Sequence, residues 1–283
     1  MTKFITFLKI IRLANLAMII LAQYITSITF VKYIENSQLL QISLATILIA
    51  SGGYILNDIE DIKIDIANRK EAITKHFNIS FLKFSSYFLS VSGLLIAFYL
   101  SFQSRMWFLI LFAFAFFILW SYAKFFSKFK LIGNIFVSFL VALAILIVPI
   151  IANVTNNISQ PKEEIYLVVL PSYILLAFLF NWMREIIKDL EDQKGDEQEN
   201  RITVPSVFGT MPAKTIVYAL ILMASPLIVL QLINLQYYIL GFIIIAITYL
   251  IYKLHNAQKT SEFKLVSFIM KIIMLLGILY PIL

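Results

Sequence analysis

Nine long apolar stretches constrain the fold of this chain more than any other feature of its sequence. They lie near residues 13–33, 39–57, 80–101, 105–122, 132–152, 165–183, 213–233, 236–254 and 264–282. A helix that crosses a lipid bilayer needs about 20 mostly apolar residues, and backbone exposed to lipid must satisfy its hydrogen bonds within helices or a closed barrel. The sequence therefore predicts an all-α integral membrane protein with nine transmembrane helices, in a single membrane domain over residues 1–283.

The composition excludes several other classes of protein. Hydrophobic residues make up 61% of the chain and charged residues 14%, whereas a soluble domain is about 45–50% apolar and about 25% charged. The chain has no cysteine, which excludes disulfides, thiolate nucleophiles and iron–sulfur centres. Its net charge of +7 would indicate nucleic-acid binding in a soluble protein. In a membrane protein a positive net charge more often reflects basic loops on the cytoplasmic side. We expect no nucleic-acid partner.

The basic residues sort to one side of the predicted membrane. Nineteen of the 23 lysines and arginines fall before the first apolar stretch or in the segments after the second, fourth, sixth and eighth stretches. Basic loops are retained on the cytoplasmic side of a membrane. We therefore expect a multi-pass protein of the cell (inner) membrane, with its N-terminus and these basic segments in the cytoplasm. Because nine is odd, the C-terminus is expected outside.

Acidic residues are concentrated in two of these cytoplasmic segments, and the positive-inside rule gives no reason for that. The first motif comprises Asn57, Asp58, Asp61 and Asp65, after the second apolar stretch, and the second motif comprises Asp189, Asp192 and Asp196, after the sixth. Residues three and four apart are neighbours on a helix. Each motif, if helical, therefore places three carboxylates on one face.

Three carboxylates on one helix face repel one another, which indicates a bound cation. Mg²⁺ takes oxygen ligands and typically bridges one or two carboxylates to substrate phosphates. Two such faces opposed across a cavity would hold Mg²⁺ against a diphosphate, whose remaining charge basic side chains would bind. The basic candidates are Arg69, Lys128, Lys130, Arg184 and Lys188. The alternative interpretation is that these are solvated loop acids paired with nearby lysines.

The two motifs, after the second and sixth of nine helices, resemble those of the UbiA superfamily of intramembrane prenyltransferases, and the resemblance covers nearly the whole chain. Arg12-Leu13-Ala14-Asn15 is similar to the family's N-terminal Arg-x-x-Asn, without the usual proline after the arginine. Tyr122, Lys128 and Gly133-Asn134 resemble the segment between the fourth and fifth helices. The run 184–192, with Gly195-Asp196 and Thr203-Val204-Pro205, is most similar to the branch of digeranylgeranylglyceryl phosphate synthases, which make ether-lipid precursors.

The resemblance implies a UbiA-like bundle that transfers a prenyl group, geranylgeranyl in that branch, from its diphosphate to a lipophilic acceptor with Mg²⁺ as cofactor. In that branch the acceptor is the hydroxyl of a geranylgeranylglyceryl phosphate-type lipid. The expected metal ligands are Asp58, Asp61, Asp65, Asp189, Asp192 and Asp196. The expected catalytic residues are Asn57, Asp58, Asp61, Asp189, Asp192 and Tyr122, and the expected substrate-binding residues are Asn15, Arg69, Lys128, Lys130, Arg184 and Lys188.

Other functions stay open at this point. The same chemistry would serve an aromatic acceptor such as a quinone precursor. A membrane cation transporter also uses carboxylates, although here the acids cluster at the membrane edge. A phosphatidyltransferase of the CDP-alcohol type uses spaced aspartates too, but the second half of its Asp-Gly-x-x-Ala-Arg pattern is missing. The expected partners are the prenyl diphosphate donor, the lipophilic acceptor and the bilayer, with no obligatory protein partner.

Overall fold

The computed structural model describes residues 3–67, 76–125, 129–156, 168–232 and 237–282, and these ranges contain helices and no β-strand. The all-α prediction is therefore confirmed. The α-helices are α1 (Lys3–Ile10), α2 (Leu13–Thr29), α3 (Asn36–Glu60), α4 (Ile62–Ala67), α5 (Ile79–Gln103), α6 (Phe108–Lys124), α7 (Lys130–Asn156), α8 (Leu170–Gln198), α9 (Val204–Phe208), α10 (Thr210–Leu232), α11 (Tyr237–Asn256) and α12 (Thr260–Leu279).

Each predicted apolar stretch overlaps a helix, but the helices differ in their capacity to cross a membrane. Within the described ranges six helices are long and apolar enough to do so: α3, α5, α7, α8, α10 and α12. The pair α1 and α2 qualifies as a seventh span if it is counted as one helix bent by 53°. The helix α6 has 17 residues, about 26 Å at about 1.5 Å per residue. The described residues therefore contain six or seven candidate spans, and nine remains a prediction.

Large apolar side chains cover the outside of these helices. Phe102 and Leu222 are each 74% exposed, and Ile110 is 67% exposed. A soluble protein rarely exposes so many large apolar side chains, whereas in a bilayer such side chains contact acyl chains. The protein is therefore a multi-pass membrane protein whose helices face lipid on their outer side.

Contacts divide the chain into two compact units. Unit 1 comprises Met1–Lys128 and Leu143–Pro161, and unit 2 comprises Phe129–Ala142 and Lys162–Leu283. The helix α7 thus contributes its first half to unit 2 and its second half to unit 1. The first motif belongs to unit 1 and the second motif to unit 2.

Small residues bring α3 and α5 together in unit 1. A Cβ on Gly52 would lie 2.6 Å from the carbonyl oxygen of Ser86, and a Cβ on Gly93 would lie 2.9 Å from that of Ala45. The Ser86 hydroxyl also donates to the Gly52 carbonyl at 2.7 Å. Helices in lipid associate through such close packing and interhelical hydrogen bonds, because lipid provides no hydrophobic drive between them.

A buried glutamine links three helices of unit 1. Gln23 on α2 is fully buried, and its amide Nε2 donates to the Thr46 hydroxyl on α3 at 3.1 Å and to the Ala144 carbonyl on α7 at 2.9 Å. An amide inside a membrane helix is costly unless it is hydrogen-bonded. These bonds satisfy the amide Nε2, whereas the buried Oε1 of Gln23 has no hydrogen-bond partner among the described residues.

Large aliphatic side chains hold unit 2 together instead. Met183 and Ile187 on α8 are fully buried against a cluster that includes Val217 on α10 and Met270 on α12. A buried lysine closes the end of α11, since Lys214 is 3% exposed and donates to the carbonyls of His255 and Ala257 at 2.9 and 2.6 Å. A cation at a helix C-terminus also interacts favourably with the helix dipole.

The second motif lies within α8, beyond the end of the predicted apolar stretch. α8 extends to Gln198, so the whole second motif is helical, although the apolar stretch was expected to end near residue 183. The reason is that Ile186, Ile187 and Leu190 continue the buried apolar stripe of α8 while the opposite positions become charged. A hydropathy window detects helices that are apolar all round, and an amphipathic extension falls below it.

Candidate functional site

The first motif lies at the end of α3 and the start of α4. Asn57 and Asp58 occupy the last turn of α3, Asp61 follows that helix, and Asp65 belongs to α4. The amide of Asp61 donates to the Asn57 carbonyl at 2.9 Å, and the amide of Asp65 donates to the Asp61 carbonyl at 3.0 Å. Helical hydrogen bonding therefore continues through the boundary between the two helices. The three-then-four spacing keeps Asp58, Asp61 and Asp65 on one helical face.

Side chains from unit 1 pair with the first motif. Asn57 Nδ2 donates to Asp61 Oδ2 at 2.6 Å. Arg12 Nη2 donates to Asp58 Oδ1 at 2.9 Å, and the two side chains are 28% and 14% exposed, respectively. The Arg12 guanidinium carbon also lies 4.8 Å from the ring centroid of Tyr54, within the range of a cation–π interaction. The first motif is thus a half-buried site with a cation already beside it.

An unusual backbone conformation places Arg12 there. Arg12 separates α1 from α2 with φ 54° and ψ 53°, the left-handed region, and it is one of two non-glycine residues with positive φ in the described ranges, Asn200 being the other. Left-handed conformations are disfavoured for side chains with a Cβ, and Asn tolerates them better than Arg. The local sequence does not favour this geometry, so tertiary contacts must stabilise it.

The second motif is more deeply buried. Asp189, Asp192 and Asp196 on α8 are 3%, 5% and 0% exposed. Asn134, on the first half of α7, donates its amide to Asp189 Oδ2 at 2.6 Å and is itself 2% exposed. A buried carboxylate needs such donors, because its desolvation is otherwise expensive.

A chain of buried polar groups supports Asn134. The Ser138 hydroxyl donates to the Asn134 carbonyl at 2.6 Å, and Asn181 Nδ2 donates to Ser138 Oγ at 3.2 Å. Asn181 and Asp189 both lie on α8. Two hydrogen bonds, Asn134–Asp189 and Asn181–Ser138, therefore join α8 to α7. This arrangement fixes the amide that faces Asp189.

The segment that follows α8 is hydrogen-bonded to the second motif. The amide of Arg201 donates to the Asp196 carbonyl at 2.8 Å. Gln193, inside the motif, donates from Nε2 to the Pro205 carbonyl at 3.2 Å and to Glu197 Oε1 at 2.7 Å. Arg201 is only 8% exposed, and it follows the left-handed Asn200. A buried arginine therefore lies close in sequence and backbone contact to the end of the second motif.

The remaining predicted site residues are placed unevenly. Arg184 Nη1 donates to Glu185 Oε1 at 2.6 Å, and both side chains are nearly buried. Lys188 on α8, Asn15 on α2 and Tyr122 on α6 are half-buried. Lys130 begins α7, and its side chain, like all of Arg69 and Lys128, lies outside the described residues. The roles of these residues stay predictions.

The donor chemistry of the two motifs suits Mg²⁺. Among the described residues no three Asp, Glu or His side chains converge as a ready-made metal site, so the assignment of six aspartate ligands also stays a prediction. Mg²⁺ does not require such a cluster, because it binds through one or two carboxylates, retains waters and takes phosphate oxygens from the substrate. Asp58 and Asp61 in unit 1, and Asp189 and Asp192 in unit 2, offer carboxylates of this kind.

Two partners of the aspartates were not predicted. Arg12 and Asn134 belong to segments that carry the family resemblance, but neither was expected to contact an aspartate. Arg12 lies 46 residues from Asp58 in sequence, and Asn134 lies 55 residues from Asp189. The isolated Asn134 in an apolar helix was the available signal, since an intramembrane amide needs a partner.

Comparison with known proteins gives a consistent result. The model of the family described as "UbiA prenyltransferase family" matches residues 16–275. A digeranylgeranylglyceryl phosphate synthase of Methanobrevibacter smithii is 30% identical over 251 residues, which are 87% of this chain and 84% of that protein. The enzyme of the same name from Methanococcus aeolicus is 33% identical over 172 residues, which are 59% of this chain. The chain spans about half the length of that relative, 54%.

Solved structures share the fold. A structure concerning digeranylgeranylglyceryl phosphate synthase in membranes aligns with 100% of this chain and 98% of its own, with a TM-score of 0.65 and 24% identity. A UbiA homologue from Archaeoglobus fulgidus bound to DMAPP and Mg²⁺ aligns with 98% of each chain, with a TM-score of 0.65 and 14% identity. At these identities the likeness concerns the fold alone.

Proposed function

Because the chain belongs to the UbiA prenyltransferase family, we propose that it transfers a prenyl group, geranylgeranyl by preference, from its diphosphate to a lipophilic acceptor. The acceptor we propose is the free hydroxyl of a geranylgeranylglyceryl phosphate-type ether-lipid precursor. The observation that carries the proposal is the duplicated aspartate motif at the ends of α3 and α8. Relatives named digeranylgeranylglyceryl phosphate synthase, aligned over 84% of their length, support this acceptor.

The carboxylates of the two motifs are proposed to bind the donor through Mg²⁺. A related structure from Archaeoglobus fulgidus bound to DMAPP and Mg²⁺ supports this cofactor. When bound, Mg²⁺ supplies positive charge that stabilises the departing diphosphate. Asp58 and Asp61 in unit 1, and Asp189 and Asp192 in unit 2, are the proposed ligands, while Asp65 and Asp196 at the far ends of the motifs act through water. Arg184 and Lys188 bind the remaining phosphate charge.

The bond changes balance without a further reactant. The C–O bond between the allylic carbon and the diphosphate breaks, and its electron pair leaves with the diphosphate. The acceptor hydroxyl oxygen then forms a bond to the same carbon, and its proton passes to the released diphosphate or to water. The allylic cation needs a water-poor, π-rich environment, for which Tyr122 on α6 is the proposed aromatic residue. Asn15, Lys128 and Lys130 are proposed to bind the substrates.

The topology that we propose has nine membrane crossings in one domain of the cell membrane, with the N-terminus and both motifs on the cytoplasmic side. The distribution of the basic residues supports it. For nine crossings, α6 and α11 must span the membrane as well. A reporter fused after Leu283 is expected on the outer side, and a cytoplasmic signal would contradict this topology.

Diphosphate release tests the proposed activity directly. The purified protein, in detergent or vesicles, is given geranylgeranyl diphosphate with Mg²⁺ and either a geranylgeranylglyceryl phosphate acceptor or an aromatic acceptor. We expect release and ether formation with the first acceptor only, and none when Mg²⁺ is chelated. Preferential use of the aromatic acceptor would favour a quinone-type prenyltransferase, and cation flux without diphosphate release would favour a transporter.

A further inference from the structure

The strained junction between α1 and α2 is tied directly to the first motif. Arg12 adopts the left-handed conformation at that junction, and the two helices meet there at 53°. A side chain with a Cβ adopts this conformation at a free-energy cost, so the contacts that Arg12 makes must offset it. Such outliers often mark functional positions.

Two of those contacts lie on a single face of α3. Tyr54 precedes Asp58 by four residues, about one helical turn. The aromatic ring and the carboxylate therefore lie next to each other on α3, and one side chain can contact both. The Arg12 guanidinium lies on both, 4.8 Å from the ring centroid and 2.9 Å from the carboxylate oxygen. On the other side of the junction, Ile10 of α1 is fully buried with Ile55 of α3. The position of α1 is therefore coupled to the ion pair.

The ion pair and a metal ion have opposing demands on Asp58. A guanidinium on one carboxylate oxygen repels a divalent cation on the same group. For charges of +1 and +2 at about 6 Å in high-dielectric surroundings, this repulsion corresponds to about a tenfold change in affinity. Arg12 and the metal ion therefore compete, unless the arginine moves when the metal ion binds.

We propose that Arg12 is a positioning residue of the first motif, whose guanidinium holds Asp58 while no metal ion is bound and is displaced from it when a divalent cation binds. The displaced arginine no longer stabilises the left-handed junction, so α1 becomes more mobile in the metal-bound protein. This inference rests on the proposed function only in taking Asp58 as a metal ligand.

Metal binding by Arg12→Gln tests the competition. Mn²⁺ serves as the probe and is titrated into purified protein without donor or acceptor, with binding followed by electron paramagnetic resonance. We expect Arg12→Gln to bind Mn²⁺ about 3- to 10-fold more tightly than the parent. Lys3→Gln is the matched control, because it removes the same charge from α1 at an exposed position, and its affinity is expected to equal the parent's. Arg12→Lys retains the charge and should stay near the parent.

The direction of the change separates this role from a merely structural one. A residue that only stabilised the fold would weaken Mn²⁺ binding when replaced, because a loosened motif holds its carboxylates less well. Equal or weaker Mn²⁺ binding by Arg12→Gln would therefore overturn the inference. Diphosphate release is measured separately, so a protein that shows this competition but no prenyl transfer would contradict the proposed function and leave the inference standing.

A spin label tests the release of α1 without altering Arg12. The chain has no cysteine, so Phe4→Cys, at a position 71% exposed, supplies a single thiol for a nitroxide on α1. We expect label mobility to increase when Mg²⁺ is added to this protein, and to be high with or without Mg²⁺ when Arg12→Gln is combined with it. A label that is equally immobile with and without saturating Mg²⁺ would overturn the displacement of Arg12, as would a parent protein that binds no divalent cation.

Discussion

The two motifs share the same spacing of aspartates, yet their surroundings differ in burial and in the chemistry of their partners. In unit 1 the side chain of Asp58 is 14% exposed and pairs with a charged arginine. In unit 2 Asp189 is 3% exposed and accepts a hydrogen bond from a neutral amide, Asn134, which is also buried. The negative charge of the first motif is thus stabilised by an ion pair near solvent. The negative charge of the second motif is stabilised by a hydrogen bond inside the protein.

The difference shows two ways to keep carboxylates available for a metal ion. A buried carboxylate that carried a full ion pair would be costly to separate, because removing one partner of such a pair leaves an uncompensated charge. An amide donor stabilises the charge without opposing a metal ion, and suits the second motif. Near solvent an ion pair is weak, so the first motif can exchange a cation at little cost.

The largest effect is expected from the aspartates themselves. Asp58→Ala and Asp189→Ala should each lower prenyl transfer by about 100- to 1000-fold, because each removes a proposed metal ligand whose charge stabilisation is worth several kcal/mol. The measurement is diphosphate release at saturating Mg²⁺. Asp65→Ala is the matched comparison, since a ligand acting through water should cost less. Near-normal turnover in both Asp58→Ala and Asp189→Ala would contradict the proposal that the two motifs bind the metal ion.

The two amide partners should differ in their effect on stability. Asn134→Leu removes a donor from a buried charge, and hydrogen bonds to charged groups contribute about 1.5–3 kcal/mol. Asn57→Leu removes the donor to Asp61, which is half-buried, and should cost less, about 0.5–1.5 kcal/mol. Thermal unfolding in detergent measures both variants. If the two lose the same stability, the contrast in burial between the motifs does not determine their energetics.

The sequence predicts the membrane helices and the motifs because both signals are local. An apolar stretch of about 20 residues and a three-then-four spacing are each contained within one segment. What a single segment determines was therefore predictable.

The contacts that distinguish the two motifs are not local. Arg12 reaches Asp58 through a left-handed junction that its own residue type disfavours, and Asn134 reaches Asp189 from another helix. The end of α8 was also predicted too early, since its last turns are amphipathic. Each of these depends on how helices pack within a unit, which periodicity and composition do not specify.

Helix packing within the two units should respond differently to the addition of a methyl group. Gly52→Ala places a Cβ 2.6 Å from the Ser86 carbonyl oxygen, and overpacking of this kind costs about 1–3 kcal/mol. Gly277→Ala on α12 in unit 2 is the control, because nothing lies within 4 Å of its Cβ position. It should be neutral or stabilising by up to about 1 kcal/mol, from helix propensity. The measurement is thermal unfolding of both variants in detergent. If Gly52→Ala were as stable as the parent protein, α3 and α5 would have to move apart at little cost.

The smallest effect concerns the aromatic ring beneath Arg12, which has no equivalent among the described contacts of the second motif. Tyr54→Leu removes the ring face from the guanidinium, which lies 4.8 Å from its centroid, and a cation–π contact of this exposure contributes about 0.5–1 kcal/mol. Tyr54→Phe keeps the ring and should match the parent. Unfolding of both variants in the absence of divalent cations is the measurement, because Arg12 is expected to leave the ring once Mg²⁺ is bound. The difference between Leu and Phe should then shrink as Mg²⁺ is added. A difference that persists at saturating Mg²⁺ would mean that the guanidinium remains on Tyr54, and that the first motif is as fixed as the second.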